Sequence, residues 1–171
     1  VSIEFYNNLH KVSKFLPQDL VKTNKALIEK LEKAQVALAK SEDDRVIRNL
    51  VLAAADARSP LLLSSISAEL KRIFTMFDPS TVTLVLYNLV RFKHESQVFD
   101  KNPKIDEAIY DFYVAKQKLK LLREIDISEL ISICSEVPRI TPQIRQLLRE
   151  VLGEIISNVH KFSVNLTTNQ I

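Results

Sequence analysis

Glycine is almost missing from this chain, and its absence excludes a large class of enzymes. Gly153 is the only glycine among 171 residues. Loops that hold phosphate groups need several glycines, because backbone amides must approach the anion closely. The common nucleotide-dependent enzymes, those with Walker or Rossmann loops, are therefore excluded for this segment.

Cysteine is equally scarce. The single cysteine, Cys134, excludes an intramolecular disulfide and a metal site built from several thiolates. This usage favours a reducing, intracellular compartment. Cys134 shares a helical stripe with Leu130 and Val137, so we interpret it as a core residue rather than a nucleophile.

Long apolar runs are also missing. The longest, residues 50–55 and 60–63, fall far short of the roughly 18 to 20 residues that a membrane-spanning helix needs. We expect no membrane partner. Because the chain begins with Val1, we interpret it as a piece of a longer protein, and a targeting segment would lie outside it. The compartment stays open between the matrix of a mitochondrion or another organelle, the cytoplasm and the nucleus.

Neither basic nor acidic residues are in large excess. Lysine and arginine number 24 against 21 acidic residues, which gives a net charge of +3. A dedicated binder of duplex DNA usually carries a larger surplus, because phosphate contacts supply most of its non-specific affinity. The composition therefore argues against that function but leaves room for a local basic stripe.

Proline marks the places where helices begin. Proline is tolerated in the first helical turn and disruptive in a helix interior. Capping residues precede several of the prolines, and Ser41 opens a capping-box pattern. The six prolines are Pro17, Pro60, Pro79, Pro103, Pro138 and Pro142, and the caps next to them are Ser59, Asp78 and Thr141.

Apolar residues between these marks recur at helical spacing. The pattern predicts helices at about 2–13, 17–39, 42–57, 60–76, 79–94, 103–123, 126–137, 141–160 and from 163 onward, with boundaries good to about 2 to 4 residues. It predicts no strand. The polar stretch 95–102 is expected to be an exposed loop. Gly153 and the alanines at 53, 54, 55 and 57 are expected to be points of close contact between helices, and for the alanines high helix propensity is an equally good explanation.

A degenerate repeat organises these helices. The segment 14–20 returns at 76–82, 62 positions later, a third copy begins at Ile125, and a fragment of a fourth begins at Phe162. Helix pairs begin near residues 42, 79, 126 and 163, in steps of about 37, 47 and 37. Repeats of this kind bury one another's apolar faces. The sequence therefore predicts an all-α fold: one domain over residues 1–171, a right-handed, α-solenoid-like stack of eight or nine helices in antiparallel pairs.

Catalytic chemistry finds no support in the chain. His10, His94 and His160 lack the acidic or histidine partner at the spacing that helical metal sites use. Paired acids such as Glu29 and Glu32 sit beside lysines, as on a solvated helix face. We predict no enzyme, no metal and no cofactor.

Basic residues cluster near predicted helix ends. Cations at helix C-termini are stabilising by themselves, which is one interpretation. The other is that stacking brings the ends together into a groove for a polyanionic strand, with Tyr87 and Tyr113 partly exposed to stack on bases. The candidate cations are Lys71, Arg72, Arg91, Lys93, Lys116, Lys118, Lys120 and Arg123.

The repeat resembles a known type. The repeat unit has a phenylalanine, a proline two residues later and a leucine three residues after the proline. An Ala-Leu pair or its equivalent follows and ends seven residues after that leucine. This resembles the helix-pair repeats of about 37 residues in organellar octotricopeptide, heptatricopeptide and FAST kinase-like proteins. The residues that carry the likeness are Phe15, Pro17, Asp19, Leu20, Ala26 and Leu27, then Phe77, Pro79, Val82, Asn88 and Leu89, and finally Ile125, Leu130 and Val137.

The resemblance implies a non-catalytic part in organellar RNA metabolism, either by binding single-stranded RNA or by scaffolding a ribonucleoprotein complex. The alternative is a scaffold of the HEAT or armadillo kind that holds protein partners and contacts no nucleic acid. A further open reading is an enzyme whose catalytic residues lie elsewhere in a longer polypeptide. Fold alone does not decide between them.

Overall fold

A computed structural model describes residues 3–159, with Val21 described by its backbone only, and this part of the chain is helical without any strand. The prediction of an all-α protein is confirmed. The helices are α1 Ile3–Val12, α2 Gln18–Gln35, α3 Asp44–Ala57, α4 Pro60–Ala68, α5 Leu70–Met76, α6 Pro79–Arg91, α7 Lys93–Ser96, α8 Val98–Lys101, α9 Ile105–Tyr110, α10 Glu124–Glu136 and α11 Pro142–Ser157. Short 3-10 helices cover Ser13–Phe15, Val36–Lys40 and Leu119–Leu121, and a π-helical turn covers Asp111–Ala115. The predicted helix from residue 163 and the fourth repeat at Phe162 lie outside the described residues, as does His160.

Two of the long predicted helices are interrupted. The predicted helix 60–76 breaks at Glu69, whose φ of −95° and ψ of 5° leave the helical region. The predicted helix 103–123 ends in a π-helical turn and then reverses at Gln117, whose φ is 53°. Apolar spacing alone continues through both breaks, which is why the sequence pattern did not reveal them.

Three of the predicted caps are confirmed. Each side-chain oxygen accepts a hydrogen bond from the amide three residues later. The caps are Ser59, Asp78 and Thr141, at 3.2, 2.8 and 3.3 Å. The prediction for Ser41 is wrong: Asp43 caps α3 by accepting from the amide of Arg45 at 2.9 Å, and the Ser41 hydroxyl accepts from the amide of Asp43 instead.

Scarcity of glycine leaves left-handed turns to other residues. Arg58, Gln97 and Gln117 have φ of 48°, 52° and 53°, a conformation that costs about 1 kcal/mol or more for a residue with a Cβ. Arg58 ends α3, and its side chain forms an ion pair with Glu95 and lies 5.6 Å from the centroid of the Phe92 ring. These two interactions offset part of the backbone cost at the end of α3.

The described chain divides into two compact units. The first comprises residues 3–77 and 88–103, and the second comprises residues 78–87 and 104–159. The assignment of all 171 residues to one domain stays a prediction.

Helix α4 forms the core of the first unit. It contacts α2, α3, α7, α8 and the 3-10 helix Val36–Lys40, while α1 packs on α2 and α3. Leu62, Leu63 and Ile66 of α4 are fully buried. This helix carries no charged residue, so it can be enclosed on several sides without burying an ion.

The stretch 95–102, predicted to be an exposed loop, is part of this packing. It forms the end of α7 and all of α8, and Ser96 and Val98 are fully buried. The Asn102 amide nitrogen donates to the carbonyl and hydroxyl oxygens of Ser67 on α4, at 3.1 and 3.3 Å. The polar composition of this stretch misled the prediction, because the polar groups bond to buried partners.

Helix α11 organises the second unit. It packs on α9, α10, the π-helical turn and the 3-10 helix Leu119–Leu121. Ile144, Leu147 and Val151 form its buried face. Cys134 is also buried, and burial raises the pKa of its thiol to about 12, so its predicted core role is confirmed.

The predicted close contact at Gly153 is wrong. Among residues 3–159, a Cβ placed on Gly153 would have no heavy atom within 4 Å, apart from its chain neighbours and the backbone of its own helix. The alanines differ from Gly153 in their burial. Ala53, Ala54 and Ala55 are buried, as residues that pack against neighbouring helices would be. The glycine therefore occupies an exposed, mid-helical position without the steric reason that the sequence suggested.

Gly153→Ala should stabilise the protein by about 1 kcal/mol, because alanine loses less backbone entropy than glycine in a helix. Gly153→Ser should stabilise the protein less than Gly153→Ala, because serine has a lower helix propensity than alanine. Urea denaturation followed by circular dichroism measures both. Loss of stability in Gly153→Ala would show that a neighbouring backbone does cross α11 at this point.

Candidate nucleic-acid interface

The predicted site residues are divided between the two units. Lys71, Arg72, Arg91 and Lys93 belong to the first unit, and the other predicted residues belong to the second. The second unit holds four of the cations, Lys116, Lys118, Lys120 and Arg123, on one short stretch of chain, together with both predicted stacking residues, Tyr87 and Tyr113.

The residues from Lys116 to Arg123, here called the basic segment, connect the π-helical turn to α10. The segment contains four cations and no acidic residue. These cations were predicted to end a helix, but the segment is irregular: it reverses at Gln117 and continues as the 3-10 helix Leu119–Leu121. Its side chains therefore project from a turn.

Two leucines anchor the basic segment. Leu119 and Leu122 are buried, whereas Lys116, Lys120 and Leu121 between and beside them are exposed. The alternation fixes the backbone against the core and leaves Lys116 and Lys120 in solvent. Within the described residues neither the Lys116 nor the Lys120 side chain forms a hydrogen bond or an ion pair, so both ammonium groups are available to a ligand.

Lys118 is partly held by an aromatic ring. Its ammonium nitrogen lies 4.6 Å from the centroid of the Phe112 ring, a cation–π arrangement. The side chain is half-buried. Its charge is thus positioned at the surface of the second unit rather than freely mobile.

Arg123 has a structural partner. Its guanidinium donates to both carboxylate oxygens of Asp126, at 3.0 and 3.1 Å, and to the hydroxyl oxygen of Ser80 at 2.8 Å. The Arg123 amide also donates to Asp126, at 3.0 Å, at the start of α10. Burial of Asp126 tends to raise its pKa, but the hydrogen bonds and charge of Arg123 outweigh burial and hold the pKa below its ordinary value.

The predicted partial exposure of Tyr113 is wrong. This side chain is completely buried, and its hydroxyl shares a hydrogen bond with Thr83. Burial raises the pKa of Tyr113 well above its ordinary value. Tyr113 cannot stack on a base, because its ring belongs to the core. Tyr87 is half-buried, in keeping with the partial exposure expected for it.

The cations of the first unit serve unequal roles. Arg72 donates to the backbone carbonyls of Ala39 and Ser41, at 2.6 and 3.1 Å, and pairs with Glu69 at 3.0 Å. Arg72 therefore satisfies the end of the 3-10 helix Val36–Lys40 and is not free to bind a ligand. Lys71 is exposed and Lys93 is half-buried. The guanidinium of Arg91 is exposed and lies 5.1 Å from the ring centroid of Phe92.

A cavity of the first unit was missed by the sequence reasoning. It occupies about 380 Å³ in the first unit, between α1, α2 and the turn from α3 to α4. There the Ser59 hydroxyl donates to the carboxylate of Glu32, which the sequence placed on a solvated helix face. Burial, and then the charge of Glu32, raise the pKa of Tyr6 to about 12. No sequence signal links residues 6, 32 and 59.

Other kinds of site find no support in the described part of the chain. Residues 3–159 contain no group of histidine, cysteine and acidic side chains that could hold a metal ion. Within the same range no helix has the length and apolar character to cross a membrane. Comparisons with protein-family models, with curated proteins and with solved structures find no match to this chain.

Asp126→Asn should lower the free energy of unfolding by about 2 kcal/mol at pH 7, because the buried Asp126 side chain loses its charge-assisted hydrogen bonds with the largely exposed Arg123 guanidinium. The lowered pKa means that the ionised carboxylate stabilises the fold above the unfolded-state pKa. That stabilisation is lost as the pH falls through the folded-state pKa. The difference between wild type and Asp126→Asn, measured by urea denaturation, should therefore shrink below about pH 4.

The control for this prediction is Asp106→Asn. Asp106 is a half-buried aspartate of the same unit, in the first turn of α9, and it has no ion pair or hydrogen bond with another described side chain. It should change stability little at any pH. An equal loss in both variants would mean that Asp126 is not specifically held by Arg123.

Proposed function

We propose that this chain is a non-catalytic helical-repeat module that binds single-stranded RNA through the basic segment. The proposal includes the finer architecture that the sequence predicts, a right-handed stack of antiparallel helix pairs. It also includes the setting that the family resemblance implies, a ribonucleoprotein complex in an organelle such as the mitochondrion.

The observation that carries the proposal is the basic segment itself. Four cations lie within eight residues, no acid interrupts them, and the ammonium groups of Lys116 and Lys120 have no protein partner among the described residues. A run of like charge is unfavourable unless counter-ions or an anionic ligand compensate it. Release of counter-ions from a nucleic acid backbone is the main source of sequence-independent affinity.

The contacts also indicate which mode of binding this segment supports. Because Tyr113 is buried, Tyr87 is the one predicted stacking residue that remains partly exposed, and the basic segment itself contains no aromatic side chain. Stacking contributes about 1 to 3 kcal/mol per base in proteins that use it. We therefore expect micromolar or weaker affinity, strong dependence on salt and little preference among base sequences.

Reversing three charges together, Lys116→Glu, Lys118→Glu and Lys120→Glu, should weaken binding strongly and reduce its dependence on salt. The measurement is fluorescence anisotropy with a labelled 20-nucleotide oligouridine at several salt concentrations. For the wild type the logarithm of the affinity should fall linearly with the logarithm of the salt concentration. Loss of three phosphate contacts corresponds to a change of about 2 in that slope.

A matched control separates local from total charge. Lys11→Glu, Lys14→Glu and Lys40→Glu change the net charge equally, at three exposed lysines of the first unit. This variant should keep the salt slope and most of the affinity. If both triple variants lose binding alike, the basic segment is not the site, and wild-type protein that fails to bind at low salt contradicts the proposal altogether.

A protein-binding scaffold is the second candidate, and one observation favours it. Leu121 and Ile125, in and beside the basic segment, are 67% and 57% exposed. Exposed aliphatic side chains next to cations suit an acidic amphipathic helix better than a nucleic acid. A partner protein that stays bound after nuclease treatment, and is lost in a Leu121→Ser variant, would favour this candidate over RNA binding.

A further inference from the structure

An apolar face of α2 lies exposed in the first unit. Leu20, Leu27 and Ala34 are spaced seven residues apart, which places them on one side of the helix. Leu20 is 48% exposed, Leu27 is 40% exposed and Ala34 is also exposed. Phe15, just before the helix, is 84% exposed.

The internal repeat identifies this face as a packing surface. Positions 62 residues later hold Phe77, Val82 and Leu89, the counterparts of Phe15, Leu20 and Leu27. These counterparts are 6%, 0% and 0% exposed. Positions that the second copy buries against the chain's own helices are therefore uncovered in the first copy.

The face is symmetric about Leu27. If two copies of α2 meet in antiparallel orientation at this residue, Leu27 faces Leu27 of the other copy. Leu20 then faces Ala34, and the pairing of a large with a small side chain lets both ends of the contact close. The spacing thus fits a two-fold contact, the commonest symmetry of protein dimers.

Charges beside the face are complementary in the same orientation. Asp19 lies at the start of α2, whereas Lys30 and Lys33 lie near its end. An antiparallel pair brings Asp19 of one copy near Lys33 of the other, twice per dimer. Parallel copies would instead put like charges side by side.

We propose that the chain associates with a second copy of itself through α2, in an antiparallel contact made by Leu20, Leu27 and Ala34. One pair of helices with a flanking phenylalanine is smaller than the interface of a stable dimer. The association is accordingly weak, with a dissociation constant in the range of about 10 to 100 μM. This inference is independent of the proposed RNA binding, which involves the second unit.

Sedimentation equilibrium over a wide range of concentration tests the association. The apparent mass should rise from 19.6 kDa towards twice that value. Leu27→Glu puts two carboxylates against each other at the symmetry axis, so the dissociation constant should rise by about 100-fold or more. Leu152→Glu is the matched control, because Leu152 is 54% exposed and lies on α11.

A charge swap tests the orientation. Asp19→Lys and Lys33→Asp should each weaken the dimer by about tenfold, and the double variant should regain most of the wild-type association. Within one helix these residues are about 21 Å apart, so they do not interact inside a single chain. Both changes also oppose the helix dipole, so a merely structural effect would be worst in the double variant.

Each result decides the proposal. The proposal is wrong if the wild-type chain stays monomeric at about 200 μM, because this concentration exceeds the expected dissociation constant. A dimer that survives Leu27→Glu places the contact elsewhere, and a double variant weaker than either single variant excludes the antiparallel pairing. Circular dichroism confirms in each case that the helices remain folded.

Discussion

Burial of α4 is the interaction on which the first unit depends. Helices α2, α3, α7 and α8 all contact it, and Leu62, Leu63 and Ile66 are fully buried. A polar side chain on the enclosed side of such a helix loses its hydrogen bonds with water. Ser67 is fully buried on α4, and Asn102 supplies its partner, so a residue from a stretch that looks like a surface loop completes the core.

A second constraint on the fold comes from two arginines. In the sequence both look like ligand-binding cations, but in the structure both stabilise turns of the chain. Arg72 satisfies the carbonyls of Ala39 and Ser41, and Arg123 holds Asp126 at the start of α10. Both use the planar guanidinium to bond two acceptors at once. Among residues 3–159, the Lys116 and Lys120 side chains have no hydrogen-bond or ion-pair partner, and Lys118 contacts only the Phe112 ring. The lysines of the basic segment, rather than the arginines, therefore remain the candidate ligand groups.

Local signals in the sequence predicted local structure well. Prolines and their caps at Ser59, Asp78 and Thr141 located three helix starts, and the apolar stripe correctly placed Cys134 in the core. What failed depends on tertiary packing. Burial of Tyr113 depends on the hydrogen bond that its hydroxyl shares with Thr83, and the cavity at Ser59 requires α2 to lie against the turn after α3. Neither pairing is visible in the sequence as a periodic pattern, because each joins residues about 30 positions apart.

For the same reason, the repeat pattern predicts which positions are apolar but does not predict which of them are buried. Phe15 and Phe77 occupy equivalent positions, yet the first is 84% exposed and the second only 6%. A repeat records which side of a helix is apolar, whereas burial depends on whether another helix reaches that side. An exposed repeat face with the chemistry of a core is a surface on which added apolar contact lowers the free energy. The symmetric spacing around Leu27 is what makes a second copy of the same helix a fitting source of that contact.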